Sequence, residues 1–542
     1  MGFGILEPKT SLQHVPGTTF LDVHDQTAVD NSQVLKKGTG RNAHVVLIPQ
    51  PSNDPNDPLN WPLWQRDLIL LLYAACTIAT IGFGPILSPI AVTLLMEFKV
   101  TFTKVSLLSG YNLCATGAVG IFIACLCRKF GKRPGLLISM TSALAGSLWA
   151  ARAQSYGSLL GARVLQGLSM SFFESIVFSV IGDLYFVHER GKRMAIYISA
   201  LSAVSNLPVL VAGKVDESLG WRWIFWMYSI FIGALWILAI LFGWETAYNR
   251  DVVYEVDASS HENLQMIEEM KAADAREQPS TEHAETSNAS FSTRKRPWHL
   301  RLAPFNGTFT KTPIVKLVFA PFLVCANPAV LWSMLTVAFP VLWVVGISLV
   351  IAQIFSAPPY LLTAKELGYM SAGPIVLGTL ANLACGLISD SSAKWLSRRN
   401  GGVYEPEFRL FLIIGLAVCS ALGYYLMGYV ITQGASAVAA SVCYGVVVAG
   451  CQFSAVCAGT YMVDAYRTLS VDVFIISMIF KNFLYYGFSY ILNNWVTRQG
   501  PANFFYTVGG IQLGLTLFTV PLYFYGKKIR AWWHIQPIAR KF

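Results

Sequence analysis

The chain has 542 residues, of which 54% are hydrophobic and only 13% are charged, and its formal net charge at pH 7 is +10. Soluble domains carry about 25% charged residues, so this composition excludes an ordinary soluble protein. The basic residues stand in short clusters between long apolar runs rather than along one polar face, which argues against a nucleic-acid-binding protein.

The first 66 residues form a polar tail that ends in a proline-broken stretch, and we expect no cleavable signal sequence in it. Six apolar runs follow, each long enough to cross a bilayer as an α-helix. These predicted spans one to six cover residues 67–96, 105–127, 134–152, 157–183, 193–213 and 221–244. They predict an N-terminal six-helix bundle over residues 67–244.

A polar linker over residues 245–326 interrupts the apolar runs. Its middle part, 271–293, has the composition of a disordered segment. Residues 313–326 are apolar, but they are few and include two prolines, so they predict an interfacial helix that leads into span seven. A thirteenth, broken span is the alternative for this segment.

Six further apolar runs predict a C-terminal six-helix bundle over residues 327–530, followed by a tail of residues 531–542. Spans seven to twelve cover residues 327–357, 369–389, 409–431, 437–463, 472–496 and 503–526. The predicted fold is therefore all-α, with twelve transmembrane helices in two six-helix bundles.

Basic residues are concentrated in the loops that follow the even-numbered spans, for example Arg128 to Arg133 and Lys394 to Arg409. The loops of opposite parity are short and poorer in basic residues. By the positive-inside rule, both termini and the linker are cytoplasmic. The sequence thus predicts a multi-pass membrane protein, with the plasma membrane favoured and a vacuolar or other membrane as the alternative.

Catalytic and nucleotide-binding motifs are missing from the sequence. It contains no P-loop, no HExxH and no GxSxG, so we expect neither an ATPase nor an enzyme. The ten cysteines form no CxxC pair, and the eight histidines lie outside the predicted spans. We therefore expect no cofactor and no metal, and transport driven by an ion or solute gradient is the function that remains.

Several short motifs resemble those of the major facilitator superfamily and, within it, the twelve-span fungal drug:proton antiporters. The motifs are Arg128-Lys-Phe-Gly-Lys-Arg-Pro134 after span two, Arg163-Val-Leu-Gln-Gly167 in span four and Trp221-Arg-Trp223 in span six. The strings Asp57–Trp61, Asp183–Gly191 and Asn400–Arg409 resemble a fungal subgroup that includes polyamine- and histidinol-permeable carriers. The resemblance implies a two-lobed carrier that works by alternating access.

The loop motif departs from the family pattern in a way that affects its expected role. Arg128 occupies the family's acidic position and Ala124 its first glycine, whereas in the family that acid helps to hold the outward-open state. Lys132 can still pair with Asp183. The predicted gating or latch residues are Gly131, Lys132, Arg133, Asp183, Arg190 and Asp390. The span-five antiporter motif is also eroded around Asn206, so antiport is less firmly implied than transport.

Span four carries a carboxylate near the middle of the predicted membrane. Glu174 lies about 16 Å along the helix from Arg163, at 1.5 Å per residue, and on the same face as Arg163 and Met170. A buried carboxylate in a membrane must be neutral, solvated or paired. Glu174 is therefore a candidate proton site or cation anchor, and a permanent bond to another helix is the alternative.

Span eleven carries Lys481 at a similar predicted depth. This lysine is a candidate partner of Glu174 or of an anionic solute group, and snorkelling to the interface is the alternative. Further candidates for the solute or proton site are Arg163, Gln166, Asn112, Asn206, Gln353, Gln452, Asn482, Tyr485, Tyr73 and Phe83. For each of these, a helix–helix hydrogen bond or ordinary packing is the alternative.

We thus expect a proton-coupled carrier for a small organic cation, polyamine-like or drug-like. Its partners are the solute, protons and the lipid bilayer, without nucleic acid, and we expect a monomer. One alternative is an exporter of an organic acid or secondary metabolite, in which Lys481 binds a carboxylate. Another is a nutrient receptor that does not transport.

Overall fold

The described part of the chain consists almost entirely of helices. The computed structural model describes residues 4–8, 15, 18–20, 51–52, 54–186, 189, 193–194, 197, 207–248, 297–310, 312–401, 403–466 and 469–536. The predictions for Asn206, Arg190 and the linker segment 271–293 lie outside these residues.

The N-terminal half forms spans one to six. Its helices are α1 (Leu63–Ile81), α2 (Ala91–Phe98), α3 (Phe102–Phe130), α4 (Lys132–Ala151), α5 (Tyr156–Ser175), α6 (Val177–Leu184), α7 (Leu207–Leu219) and α8 (Trp221–Phe242). Span one, predicted as one run, is broken between α1 and α2. Gly82, Gly84 and Pro85 stand in the break, and a proline has no N–H to continue the helical ladder.

The C-terminal half follows two short linker helices. The linker helices are α9 (Trp298–Arg301) and α10 (Ile314–Val324). The spans are α11 (Pro328–Phe355), α12 (Ala364–Tyr369), α13 (Ala372–Arg399), α14 (Ile413–Thr432), α15 (Ala437–Ala465), α16 (Ser470–Ser489), α17 (Leu492–Gln499), α18 (Pro501–Leu517) and α19 (Thr519–Ile535). A two-residue strand β1 (Thr19–Phe20) pairs antiparallel with β2 (Val403–Tyr404).

Ten helical stretches among the described residues are long and apolar enough to cross a membrane. The two spans outside this set are span one, which is broken, and span five, of which the structure describes residues 193–194, 197 and 207–213. The twelve-helix prediction is confirmed. Several helices extend beyond the predicted boundaries: α13 reaches Arg399, where the apolar run ends at 389. Backbone hydrogen bonding continues after the apolar side chains end, so hydropathy marks the membrane segment and not the whole helix.

Helices pack closely through glycines in both bundles, as is typical of membrane helices. A Cβ on Gly167 of α5 would lie 2.1 Å from the backbone oxygen of Asn112 on α3, and a Cβ on Gly373 of α13 would lie 2.0 Å from that of Ser441 on α15. The second and fourth spans of each bundle therefore approach each other in the same way.

The two bundles meet mainly along α3 and α16, the second and eleventh spans, and we call this contact the seam. The end of the molecule that carries the Arg128–Pro134 loop is called the motif end, and the other is the opposite end. Residues predicted as an interfacial helix form α10, which packs on both helices of the seam. Its position in the interface remains a prediction.

Candidate solute and proton site

Glu174 and Lys481 form an ion pair that joins the two bundles. The Nζ atom of Lys481 lies 3.2 Å from Oε1 of Glu174, and the side chains are 20% and 9% exposed, respectively. Asn482 Nδ2 donates a hydrogen bond of 3.0 Å to the second carboxylate oxygen. The structure thus brings together three of the predicted site residues, and both oxygens of the carboxylate have partners from span eleven.

Small residues on span two allow span eleven to approach this carboxylate. A Cβ on Gly117 would lie 3.3 Å from the Cβ of Asn482, and a Cβ on Gly120 would lie 2.2 Å from the terminal methyl of Met478. Glycines at such spacing share a helix face and let two backbones come close. Sequence reasoning missed this contribution, although the spacing of these glycines along span two is visible in the sequence.

Arg163, Gln166 and Asn112 form a separate cluster inside the N-terminal bundle. The guanidinium of Arg163 donates to Gln166 Oε1 at 3.0 Å and to the carbonyl oxygen of Phe83 at 2.6 Å. Asn112 Nδ2 donates to the carbonyl oxygen of Arg163 at 2.8 Å. Phe83 stands in the break of span one, so the hydrogen bond from Arg163 satisfies a backbone carbonyl group at the break. Their geometry supports the packing alternative for these three residues.

The aromatic candidates are buried in packing contacts. Tyr73 packs on Phe172 with ring centroids 6.2 Å apart, and Phe83 packs on Tyr228 at 5.3 Å. Tyr485 of α16 is 2% exposed. These rings contribute to the core around the ion pair in the arrangement described here.

Two polar candidates differ in depth. Gln353 lies in the last turn of α11, where its side-chain N–H donates a hydrogen bond of 3.1 Å to Thr497 Oγ1 at the opposite end. Gln452 is half-buried in the middle of α15.

The seam is also bridged at the motif end. Arg128, which replaces the expected acidic residue, lies 2.7 Å from Asp472 in the first turn of α16. Phe178 stacks on Phe474 with centroids 6.0 Å apart. The predicted departure at Arg128 is therefore compensated by an acidic residue on the other bundle, which sequence reasoning did not identify. The sequence contained one indication of this partner, because Asp472 is an acidic residue at the predicted start of span eleven.

Two of the predicted latch residues of the N-terminal bundle are in contact with each other. Lys132 Nζ contacts Asp183, as the sequence predicted. Glu245 accepts hydrogen bonds from the backbone N–H groups of Lys132 at 2.8 Å and Arg133 at 3.0 Å. Burial raises the pKa of Glu245, and these hydrogen bonds oppose the rise. Gly131 adopts φ +92°, which favours glycine at the turn between α3 and α4.

A corresponding network lies on the C-terminal bundle. Arg409 contacts Asp390 at 2.9 Å and Asp464 at 3.1 Å, so the predicted latch residue Asp390 has a basic partner. Arg530 contacts both Glu405 and Glu407 at 2.8 Å. In both bundles, the turn that precedes the third helix is thus held by charges on the ends of the fourth and sixth helices.

The opposite end of the molecule is closed. Ser88 Oγ of the first span donates 2.5 Å to the carbonyl oxygen of Ser348 on the seventh. Asn493 Nδ2 donates 3.4 Å to the carbonyl oxygen of Phe102, across the seam. A Cβ on Gly213 of α7 would lie 2.2 Å from the backbone of Ala364 at the start of α12. Solute access from that end would require these contacts to separate.

Comparison with known proteins places this geometry in a family. A sequence model described as Major Facilitator Superfamily matches residues 69–480. Protein HOL1 of Saccharomyces cerevisiae is 24% identical to the chain, over 97% of each protein. An uncharacterized MFS-type transporter of Schizosaccharomyces pombe is 24% identical over 97% of this chain and 94% of the relative. The MFS antiporter QDR3 of Candida albicans is 24% identical over 46% of this chain and 36% of its own.

Solved structures agree on the fold. The proton:xylose symporter XylE bound to 6-bromo-6-deoxy-D-glucose superposes with a TM-score of 0.54 at 13% identity, over 85% of this chain and 97% of the other. A partially occluded inward-open conformation of the xylose transporter XylE from E. coli gives a TM-score of 0.54 at 13% identity, over 84% and 99%.

Proposed function

This chain belongs to the Major Facilitator Superfamily and is a secondary active transporter, and we propose that it carries a small organic cation whose movement is coupled to protons at Glu174. It is a multi-pass integral membrane protein. The observation that carries the proposal is the ion pair between Glu174 and Lys481 across the two bundles.

The ion pair fits a coupling role because of where it lies. Alternating access separates and rejoins the two bundles around a central site. A bond between a carboxylate on the fourth span and an ammonium on the eleventh has to break when the seam opens beside it. Breaking it leaves a buried charge without a partner, which costs several kcal/mol. The protein therefore needs something that neutralises Glu174 at that point in the cycle.

Two species can neutralise the carboxylate. A proton removes its charge, and an organic ammonium takes the place of Lys481 beside it. The proton and the solute then compete for one group. Competition of this kind supports exchange, because the solute leaves Glu174 when the proton arrives and the proton leaves when the solute binds. The relative QDR3 of Candida albicans is an MFS antiporter, which is in line with this scheme.

The orientation and assembly complete the proposal. The motif end faces the cytoplasm together with both termini, as the distribution of basic loops indicates. The plasma membrane is the favoured location, and one chain is sufficient because Glu174 and Lys481 come from the same molecule. Residues 67–244 and 327–530 act as the two moving bundles.

The test is transport by purified protein in proteoliposomes with an imposed pH gradient and a panel of radiolabelled mono- and polyamines. Wild type should exchange at least one amine against protons. Glu174→Gln should abolish the dependence on the gradient, since an amide does not titrate. Glu174→Asp keeps the carboxylate and is the matched control. Gradient-driven amine transport that persists in Glu174→Gln would refute the proposal.

A second candidate is transport of an organic acid through Lys481. Lys481 is 20% exposed, against 9% for Glu174, so the cation is the more accessible member of the pair. The same vesicles, tested with a panel of monocarboxylates and dicarboxylates, separate the two functions. Lys481→Ala would abolish acid transport and leave a bound amine with its carboxylate partner. Glu174→Ala would abolish amine transport and leave a bound acid with its ammonium partner.

A further inference from the structure

The motif end of each bundle is covered by a segment that is not part of a span. On the N-terminal bundle, the N–H of Phe309 donates 2.8 Å to the carbonyl oxygen of Lys129, and Phe305 packs on Phe130 with centroids 5.5 Å apart. Arg133 Nη2 donates 3.0 Å to the carbonyl oxygen of Leu302. We call residues 302–309 the linker strap. It covers the N-terminal bundle and leads, through α10, into the C-terminal one.

The N-terminal segment of the chain covers the motif end of the C-terminal bundle. Leu6 N–H donates 3.0 Å to the carbonyl oxygen of Phe524 on the twelfth span. Thr18 Oγ1 donates 2.8 Å to Glu405, and Thr19 pairs with Tyr404 in the small sheet. We call residues 4–8 and 18–20 the N-terminal strap. It covers the C-terminal bundle, although it precedes the N-terminal bundle in the sequence.

Apolar and charged contacts hold the N-terminal strap as well. Ile5 is 7% exposed and forms a small buried cluster with Leu396 and Phe408. Lys527 lies 2.9 Å from Glu7 and 2.8 Å from Glu405. Burial alone would raise the pKa of Glu405, but its bonds to Lys527 and Thr18 and the charge of Arg530 hold that pKa below its ordinary value.

The strap contacts a network that reaches the seam. Tyr404, paired with β1, donates to Asp464 at the end of α15, and Arg409 holds the same carboxylate at 3.1 Å. Helix α15 ends at Ala465, and α16 begins at Ser470 and carries Asp472 of the seam. Only a short connection therefore separates Asp464, which the network holds, from the helix that bridges the two bundles.

The described contacts of the strap decide how it can act. They lie on the loop of residues 403–409 and on the twelfth span. The strap therefore acts through this loop and through the helix ends that the loop anchors.

We propose that the N-terminal strap is a self-regulatory clamp that, while docked on residues 403–409 and on the twelfth span, restrains opening of the motif end. Release of the strap loosens the anchoring of Asp464 and thereby the start of α16. The seam then opens at the motif end more often. This inference goes beyond the transport reaction and does not depend on the identity of the solute.

Backbone and side-chain variants of the full-length chain test the docking. Leu6→Pro removes the N–H that bonds to Phe524, and Leu6→Ala keeps it. Thr18→Val removes the hydroxyl that bonds to Glu405, and Thr18→Ser keeps it. In hydrogen–deuterium exchange, the amides of residues 403–409 should exchange at least fivefold faster in the Leu6→Pro/Thr18→Val double variant. The Leu6→Ala/Thr18→Ser double variant should exchange like wild type.

Spin-label distances test the coupling to the motif end. Labels at Phe242→Cys and Lys394→Cys report the separation of the bundles in proteoliposomes without any solute, in a background whose half-buried native cysteines are replaced. The releasing double variant should shift the distance distribution to longer values. The Ile5→Cys/Leu396→Cys disulfide should reverse that shift when oxidised, and the same sample after reduction is its folding control.

Two results would overturn the clamp. Unchanged exchange in the releasing double variant would mean that the strap does not hold residues 403–409. Faster exchange with an unchanged distance distribution would mean that the strap only covers the surface. Because neither measurement uses a solute or a pH gradient, failure of the coupling at Glu174 would leave both results readable.

Discussion

The proposed coupling of solute to protons depends on two residues, Glu174 and Lys481. A carboxylate and an ammonium at 3.2 Å in a largely buried site are strongly coupled, because little water screens them. The gain from pairing only offsets the cost of removing both charges from water. The pair is therefore better suited to switching between two states than to adding net stability.

Removal of the lysine charge should destabilise the protein in a pH-dependent way. Lys481→Met leaves Glu174 buried without its cation, which we expect to lower the free energy of unfolding by about 3 kcal/mol at neutral pH. Protonation of Glu174 removes the charge of the unpaired carboxylate. The loss of free energy of unfolding, relative to wild type, should therefore become smaller as the pH falls. Thermal unfolding of the detergent-solubilised variant and wild type across pH 4–8 measures this difference in stability.

Lys481→Arg keeps the positive charge and is the control for that experiment. It should show a much smaller deficit with little dependence on pH. A Lys481→Met deficit that stays constant over the whole pH range would show that lost packing, and not the unpaired carboxylate, causes the instability.

At the scale of elements, glycines set how closely the helices approach. Gly167 stands where a Cβ would meet a backbone oxygen of Asn112 at 2.1 Å, and backbone cannot move aside as a side chain can. At Gly120 the obstructing atom is the flexible end of Met478, so the same added methyl is easier to accommodate. The identity of the neighbouring atom therefore decides the cost.

Gly167→Ala should be destabilising by about 1–3 kcal/mol, the usual cost of overpacking. Gly386→Ala is the matched control, because nothing lies within 4 Å of a Cβ at that helical position. There, the better helix propensity of alanine should leave stability unchanged or slightly higher. Melting temperatures of the two variants check this, and equal values would contradict it.

An ion pair between Arg128 and Asp472 bridges the seam at the motif end, and its basic residue stands where the family has an acidic one. Arg128→Ala leaves Asp472, whose side chain is 9% exposed, without its cation and should weaken closure of this end. Labelling of Ser477→Cys by a membrane-permeant maleimide should become severalfold faster, because Ser477 is a buried residue of α16, one of the two helices of the seam.

The exchanged pair Arg128→Asp/Asp472→Arg tests whether the contact itself is responsible. Restoration of slow labelling in the double variant, with fast labelling in each single variant, would be expected of a direct ion pair. Fast labelling in the double variant as well would mean that Arg128 acts through other neighbours.

The whole molecule is two bundles joined along one seam and closed at the opposite end. Closure there involves the first span with the seventh and the fifth with the eighth, while the motif end is held by the pair at Arg128 and by the stacked rings of Phe178 and Phe474. Opening of either end is therefore a rearrangement between bundles rather than within one of them.

Orientation is a property of the whole chain and has a direct test. With the motif end in the cytoplasm, Gln433→Cys in the loop after span nine should react with an impermeant maleimide on intact cells. Lys394→Cys at the motif end of α13 should react only after permeabilisation. Both side chains are exposed, so access to the reagent is decided by the membrane alone. The reverse labelling pattern would invert the topology.

The sequence determined the class of the molecule, because long apolar runs in a bilayer can only be satisfied as helices whose backbone hydrogen bonds are internal. It also identified Glu174 and Lys481, since a charge within an apolar run is conspicuous without any structure. The contact between Lys132 and Asp183 was predicted on other grounds, from the resemblance of the loop motif to that of the family.

Only the tertiary structure decided which of these groups meet. Asn482 donates a hydrogen bond to Glu174, Asp472 forms an ion pair with Arg128, and Thr18 of the N-terminal segment donates a hydrogen bond to Glu405. Hundreds of positions separate the two residues of each pair in the sequence. The structure also shows Arg163 and Asn112 in hydrogen bonds inside the N-terminal bundle and places Gln353 near the opposite end. Contacts between distant helices depend on how the bundles pack and on where glycines allow close approach, and hydropathy along one chain carries no information about either.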